Sequence, residues 1–259
     1  MQIRPGVEVA SLSDIGCQRD NNEDALSYWE SKSDDDFRQK GRLALVADGM
    51  GGYEGGQEAS RLAVETIQDI YDQEAAGDPR SVLLKGFQTA HERIRKYAEA
   101  HPEFQGMGTT CTALALNDFR LYFVHVGDSR LYLVRGESIS RLTRDHSYVG
   151  RLVESGVLNS DEAERHPQRH ILTAALGAGG EIIADSPSDP MTLEEGDALV
   201  LCTDGLWGQV HEPEILQVVA AKQASAACAE LVKMARERGG PDNITVQILR
   251  LSANGSLAH

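Results

Sequence analysis

The chain is predicted to fold as α+β, with antiparallel sheets and helices layered on them. Three observations lead there. Strand-like and helix-like patterns come in clusters, β then α then β then α then β, whereas a doubly wound parallel sheet needs strict alternation. The stretch GTTCTALALNDFRLYFVHVGDSRLYLVRGESISRLT alternates β-branched, aromatic and small residues, broken by turn signals at Asn117-Asp118, Gly127-Asp128 and Gly136-Glu137. A chain of 259 residues, 41% of them hydrophobic, can bury a sizeable core. Nothing divides it: there is no internal repeat, low-complexity block or Pro/Ser-rich linker.

Taken in order, residues 7 to 12 and 24 to 29 read as weak strands, and the acidic insertion SKSDDDFRQKG as an exposed loop. Leu43 to Ala47 form a short apolar run with the character of a buried strand. From Gly55 to Tyr71, Ala59, Leu62, Ala63, Ile67 and Ile70 recur at helical spacing, and a second amphipathic helix runs from about Pro79 to Ala100. The aromatic-rich stretch then reads as a meander of antiparallel strands. Residues 145–180 turn polar and His-rich, which predicts two short helices on a mobile lid. Strands are expected near 182–185 and 198–202, helices from about Pro213 to Ala221 and Ala224 to Arg238, and a last strand over 243–250. One domain of residues 1–250 is thus expected, with 251–259 as a flexible tail.

The balance of 25 basic against 40 acidic residues gives a net charge of −15 and argues against nucleic-acid or anionic-membrane partners. The first residues lack an apolar core suited to export, and no stretch approaches membrane-spanning length, so a cytoplasmic protein is expected. Cys17, Cys111, Cys202 and Cys228 lie far apart with no CxxC pair, and read as free thiols. Without an obvious exposed apolar stripe, the chain is expected to be a monomer.

Four aspartates sit at strand ends or in glycine-flanked turns: Asp48 in LALVADGMGG, Asp128 in VHVGDSR, Asp204 in ALVLCTDGLW and Asp242 in GGPDNITV. A strand ending in Asp-Gly delivers a carboxylate to the rim of a sheet, where Gly lets the backbone turn sharply. Any one of them alone could simply open a turn. Four converging rims would make an oxygen-rich site, and crowded carboxylates need a counter-charge that hard cations such as Mg²⁺ or Mn²⁺ supply. The glycine-rich GMGGYEGG lacks the Lys-Ser/Thr ending of a nucleotide P-loop and reads as a turn into a helix.

In order, GCQRDNNED, VADGMGGYEGG, GMGTT, VGDSR, CTDGLW and GGPDNITV resemble the motifs of the metal-dependent protein phosphatases of the PPM, or PP2C, family, and most of all its compact bacterial members. The resemblance covers about residues 7 to 250. It implies a four-layer α-β-β-α sandwich of two antiparallel sheets flanked by helices. It also implies phosphoserine/phosphothreonine hydrolysis by a water activated at a binuclear Mn²⁺ or Mg²⁺ centre. By the same resemblance Asp48 bridges both ions, the Gly49 carbonyl binds one, and Asp204 and Asp242 bind the other. Glu23 and Asp24 act mostly through waters, and Asp128 matches the ligand of a third, weaker ion. Arg19 matches the phosphate-binding arginine, for which a guanidinium fork is suited. Phosphorylated proteins, including a Ser/Thr kinase, are the implied partners.

The chain departs from the family at instructive places. Positions that carry a histidine in eukaryotic and in many bacterial relatives are Met50 and Tyr53 here. Protonation of the leaving group then falls to a metal-bound water or to a lid histidine, His146, His166 or His170. An acidic residue that assists the third ion in some relatives is replaced by Gly208, with Asp161 in the lid as a substitute candidate. Asn243 reads equally as structural or catalytic. Arg130 is expected to pair with an acidic group within its own turn, and Trp207 to pack in the core. Two alternatives stay open: a PPM-fold regulatory module without catalysis, and a partner-switching phosphatase acting on anti-sigma antagonists.

Overall fold

The computed structural model describes residues 4–52, 54–74, 77–159, 162, 163 and 165–252. Strands β1 (Val7–Asp14), β2 (Asp24–Glu30) and β3 (Arg42–Met50) open the fold, with α1 (Asp34–Lys40) between the last two. Helices α2 (Gly55–Gln73) and α3 (Pro79–Ala100) follow. Next come β4 (Gly108–Thr109), β5 (Cys111–Asn117), β6 (Arg120–Val126), β7 (Arg130–Arg135) and β8 (Ser138–Arg141). The rest is α4 (Tyr148–Glu154), β9 (Met191–Thr192), β10 (Ala198–Cys202), α5 (Asp204–Trp207), α6 (Glu212–Ala221), α7 (Ala224–Glu237) and β11 (Ile244–Leu251).

Two antiparallel sheets result, one in the order β1-β11-β10-β7-β8 and the other β2-β3-β5-β6-β9. The period-two geometry of a strand explains how they stack. In β3, Ala44 and Val46 face the other sheet while Leu43, Leu45 and Ala47 face α2 and α3. In β10, Leu199 and Leu201 face inward while Ala198, Val200 and Cys202 face α6 and α7. Strands apolar on both faces therefore lie between a helical layer and a second sheet, and the α-β-β-α sandwich expected from the resemblance is the structure observed.

Three expectations change. The 31–41 insertion contains a helix. Ser33 caps it through Asp36 N–H, Asp34 to Asp36 sit at its positive end and Arg38 and Lys40 at its negative end. Gly41 stops it at φ 66°, and Phe37 is buried between the guanidinium groups of Arg4 and Arg42. The 111–141 meander is not one sheet: β5 and β6 belong to one, β7 and β8 to the other. Gly127, at φ 107°, makes the crossing, and a Cβ there would lie 2.5 Å from the Thr110 side chain. Near 182–185 a single bridge joins Asp185 to His125 in place of a strand. The lid contains α4 as expected, whereas the second short helix falls partly on residues outside those described, as does the tail from 253 onward. All four cysteines are free thiols, and Cys111, Cys202 and Cys228 are buried.

Candidate metal centre

The two sheets bring their carboxylates to one end of the sandwich. In the β2–β3 ladder Asp24 lies directly opposite Asp48, so both side chains leave the same face. Asp48 is held by its backbone: its N–H donates to Thr110 Oγ1 at 3.0 Å, and its carbonyl accepts from Thr110 N–H at 2.9 Å and Thr109 Oγ1 at 2.8 Å. Gly49 donates to the Glu23 carbonyl at 3.1 Å, and a Cβ on it would stand 2.0 Å from the Gly56 carbonyl oxygen, so no other residue fits. From the other sheet come Asp204, just after β10, and Asp242, just before β11. Asp128 sits at the crossing between β6 and β7.

Several polar side chains tie these pieces together. Thr203 Oγ1 donates to Asp24 Oδ2 at 2.9 Å and accepts from Thr245 N–H at 3.0 Å, which joins the sheets at the site. Asn243 accepts from Glu23 N–H at 2.8 Å and donates to the carbonyls of Ile15 and Asn21 at 3.0 and 2.9 Å. All of its polar atoms are thus used in holding the Glu23 loop, which favours the structural reading of this residue. Ser60 Oγ also donates to the Glu23 carbonyl, at 2.6 Å.

A cavity of about 720 Å³ opens here, lined by Arg19, Glu23, Asp48, Gly49, Asp128, Asp204 and Asp242, while Asp24 stands behind the wall. Burial, and then the neighbouring Asp24, Asp204, Asp128 and Asp242, push the Asp48 carboxyl well above the usual carboxylate range. Burial and then Asp204 do the same to Asp128. Asp24 is pushed up to about 7, by burial first and by Asp204 and Asp242 after the opposing hydroxyl hydrogen bonds. Asp24 Oδ1 and Asp204 Oδ1 are buried without a hydrogen-bond partner among the described residues. A set of buried like charges with orphaned oxygens is the environment in which a cation stabilises the ionised forms.

A profile of the protein phosphatase 2C family matches residues 18–246. The chain belongs to the protein phosphatase 2C family. Among curated family members it is 35% identical over 242 residues to the serine/threonine protein phosphatase PstP of Mycobacterium tuberculosis, with 92% of this chain and 44% of PstP covered. It is 34% identical over 251 residues to the protein phosphatase PhpP of Streptococcus pneumoniae, with 95% and 98% covered. It therefore spans less than half of PstP and nearly all of PhpP. The crystal structure of the PstP catalytic domain in complex with two manganese ions superposes with a TM-score of 0.81 at 31% identity, covering 95% of this chain and 99% of that one.

Within this family member, the other expected residues divide. Arg19 reaches the cavity and donates to Asp242 Oδ2 at 2.7 Å, with half of its side chain exposed. Met50 lines the cavity, and Tyr53 and Asp161 lie outside the described residues. Of the lid histidines, His170 lines the cavity with Nδ1 3.9 Å from Asp204 Oδ2. His146 is turned away, with Nε2 3.2 Å from Asp185 and Nδ1 accepting from Gly127 N–H, and His166 Nδ1 accepts from Gln168 N–H. Arg130 does not pair inside its turn. It donates to both carboxylate oxygens of Asp145, at 3.1 and 2.7 Å, and its guanidinium lies 3.6 Å from the Trp207 ring centroid. Trp207 is only partly buried and donates from Nε1 to the Asp128 carbonyl at 2.9 Å. Trp207 packs against the hydrophobic cluster of β7, β10, β11 and their helices, as expected, while its Nε1–H bond and the long reach of Arg130 to Asp145 are tertiary facts. The support from Thr203 is likewise tertiary, because Thr203 and Asp24 are remote in the chain.

Proposed function

We propose that this chain is a protein serine/threonine phosphatase that hydrolyses phosphoserine and phosphothreonine with two Mn²⁺ or Mg²⁺ ions held among Glu23, Asp24, Asp48, Asp128, Asp204 and Asp242. The observation that carries this is the convergence of carboxylates from both sheets on one cavity, where Asp204 and, behind the wall, Asp24 each keep a buried oxygen with no hydrogen-bond partner among the described residues. No three acidic or histidine side chains among the described residues close on a single point. The donor set nevertheless fits hard cations that keep much of their hydration, as Mg²⁺ does. Asp48 would serve both ions, with the Gly49 carbonyl on one and Asp204 and Asp242 on the other. Glu23 and Asp24 would hold bound water, and Asp128 a third, weaker ion. Bound there, two divalent ions supply Lewis acidity and activate water for attack on phosphorus.

The chain's own residues do the rest. Arg19, exposed at the cavity mouth, binds two phosphate oxygens through its planar fork. His170 is the lid histidine placed to meet the leaving group, taking the part that Met50 and Tyr53 cannot. Trp207 and Arg130 brace the Asp128 turn from behind. Phosphorylated proteins are the substrates, a Ser/Thr kinase among them. As part of the same reading, the chain acts in the cytoplasm as a monomer. The reading is tested by phosphate release from a phosphothreonine peptide with Mn²⁺, with EDTA, and for Asp204→Asn and Asp242→Asn. Turnover should require the metal and both aspartates while circular dichroism stays unchanged; retained activity in either variant refutes the assignment.

A further inference from the structure

Beside the metal cavity lies a second, larger hollow of about 1100 Å³. Its walls carry Arg141, Arg144, Arg165 and Arg169, against Glu154 and Glu212, with Arg130 and Asp145 paired in its floor. Val149, Val153, Ala163, Val210 and Pro213 add apolar faces to its lining. Arg169 and Trp207 line both hollows, so the two are continuous across the edge of the lid.

The charge here runs against the rest of the molecule. The chain as a whole carries −15, yet four exposed arginines gather in one groove next to the active site. Arg141 turns toward Asp145 at 3.3 Å, and Arg144, 77% exposed, makes only a long, solvent-screened ion pair with Glu154 at 3.9 Å, which leaves its guanidinium accessible. Exposed guanidinium groups in a walled groove attract carboxylates more strongly than the same groups on a flat surface, because the low-dielectric walls focus their field. With a net charge of −15 on the chain as a whole, a long polyanion running out of the groove is disfavoured more than a short acidic segment held within it.

We propose that this groove binds acidic residues of the substrate protein flanking its phosphorylated residue, with the arginines pairing carboxylates and the apolar faces taking the peptide backbone and side-chain stems. The inference rests on the phosphatase reading for the identity of its occupant, and its test is separable from that reading. Labelled, unphosphorylated acidic peptides and their amide counterparts are titrated by fluorescence anisotropy against the wild type, Arg144→Glu/Arg165→Glu, and the distant charge-matched control Arg38→Glu/Lys233→Glu. The acidic peptide should bind roughly tenfold tighter than the amide. That preference should fade as salt rises from about 50 to about 500 mM, vanish in Arg144→Glu/Arg165→Glu, and persist in the control. Equal binding of the two peptides, a preference that survives the groove variant, or one lost equally in the control would overturn the proposal. Hydrolysis of p-nitrophenyl phosphate by the wild type with Mn²⁺ is measured in parallel. Hydrolysis without an acidic preference sinks the groove alone, and an acidic preference without hydrolysis upholds the groove and sinks the phosphatase reading.

Discussion

Removing Asp145 should unsettle the turn that carries Asp128. Its carboxylate accepts two N–H groups from Arg130 and a third from Arg141 at 3.3 Å, with the Arg130 and Asp145 side chains only 7% and 13% exposed. Asp145→Ala leaves the Arg130 charge buried without its counter-ion, a change that generally costs about 3–5 kcal/mol. Arg130 keeps the Tyr132 hydroxyl at 3.0 Å and the Trp207 ring, so the lower end, about 3 kcal/mol, is expected. For a chain of this size that corresponds to a drop in Tm of about 6–12 °C. Thermal unfolding followed by circular dichroism measures it. Combining Asp145→Ala with Arg130→Met removes the stranded charge, so the double variant should lose less than the sum of the two single changes. Burial alone would raise the Asp145 carboxyl, but Arg130, by charge and hydrogen bond, holds it below the usual range. The pair's stabilisation is therefore present above about pH 4 and lost as the pH falls through the lowered value. A loss under about 1 kcal/mol, or strict additivity in the double variant, would show that the pair behaves as an exposed one and would refute the reasoning.

Other outcomes follow from the same geometry. Gly49→Ala drives a Cβ to within 2.0 Å of the Gly56 carbonyl and should destabilise the fold by more than about 3 kcal/mol, whereas Gly52→Ala meets nothing within 4 Å and should be near neutral, both read by urea denaturation. Metal-free protein should lose stability as the pH rises through about 7, because burial has pushed Asp24 up to about 7 and Asp48 and Asp128 well above the usual range. Groups with raised values stabilise the protonated fold and cease to do so once they ionise. Tm in EDTA should accordingly fall between pH values of about 5.5 and 7.5, and Mn²⁺ should restore it; a rise with pH would contradict this. His170→Ala should slow hydrolysis of a phosphothreonine peptide by about 10²-fold while sparing p-nitrophenyl phosphate, whose leaving group needs no proton.

The layers of the fold were legible because β3 and β10 are apolar on both faces and α2 and α3 keep a helical period. The division of β5 to β8 between two sheets was not, since alternation along a strand records which faces are buried and is silent about the neighbour. The α1 helix was hidden by its acidity, although Ser33, the acidic first turn and Gly41 spell out its caps. At the site, Asp48, Asp128, Asp204 and Asp242 stood out by their Asp-Gly and turn settings, and the structure gathers all four. What the sequence could not show is how they are held: Thr203 bridging to Asp24, Asn243 gripping the Glu23 loop, and Arg130 crossing to Asp145 all join residues remote in the chain. Nor could it separate His170 from His146, because only the fold of the lid turns one toward the cavity and the other toward Asp185.

The number of ions that the carboxylates hold is the most direct test of the metal centre. Calorimetric titration of Mn²⁺ into the wild type and into Asp48→Asn, the residue assigned to both ions, settles it. Two ions bound by the wild type, with that binding lost in the folded variant, is the result expected; no binding by the wild type, or undiminished binding by Asp48→Asn, would contradict it.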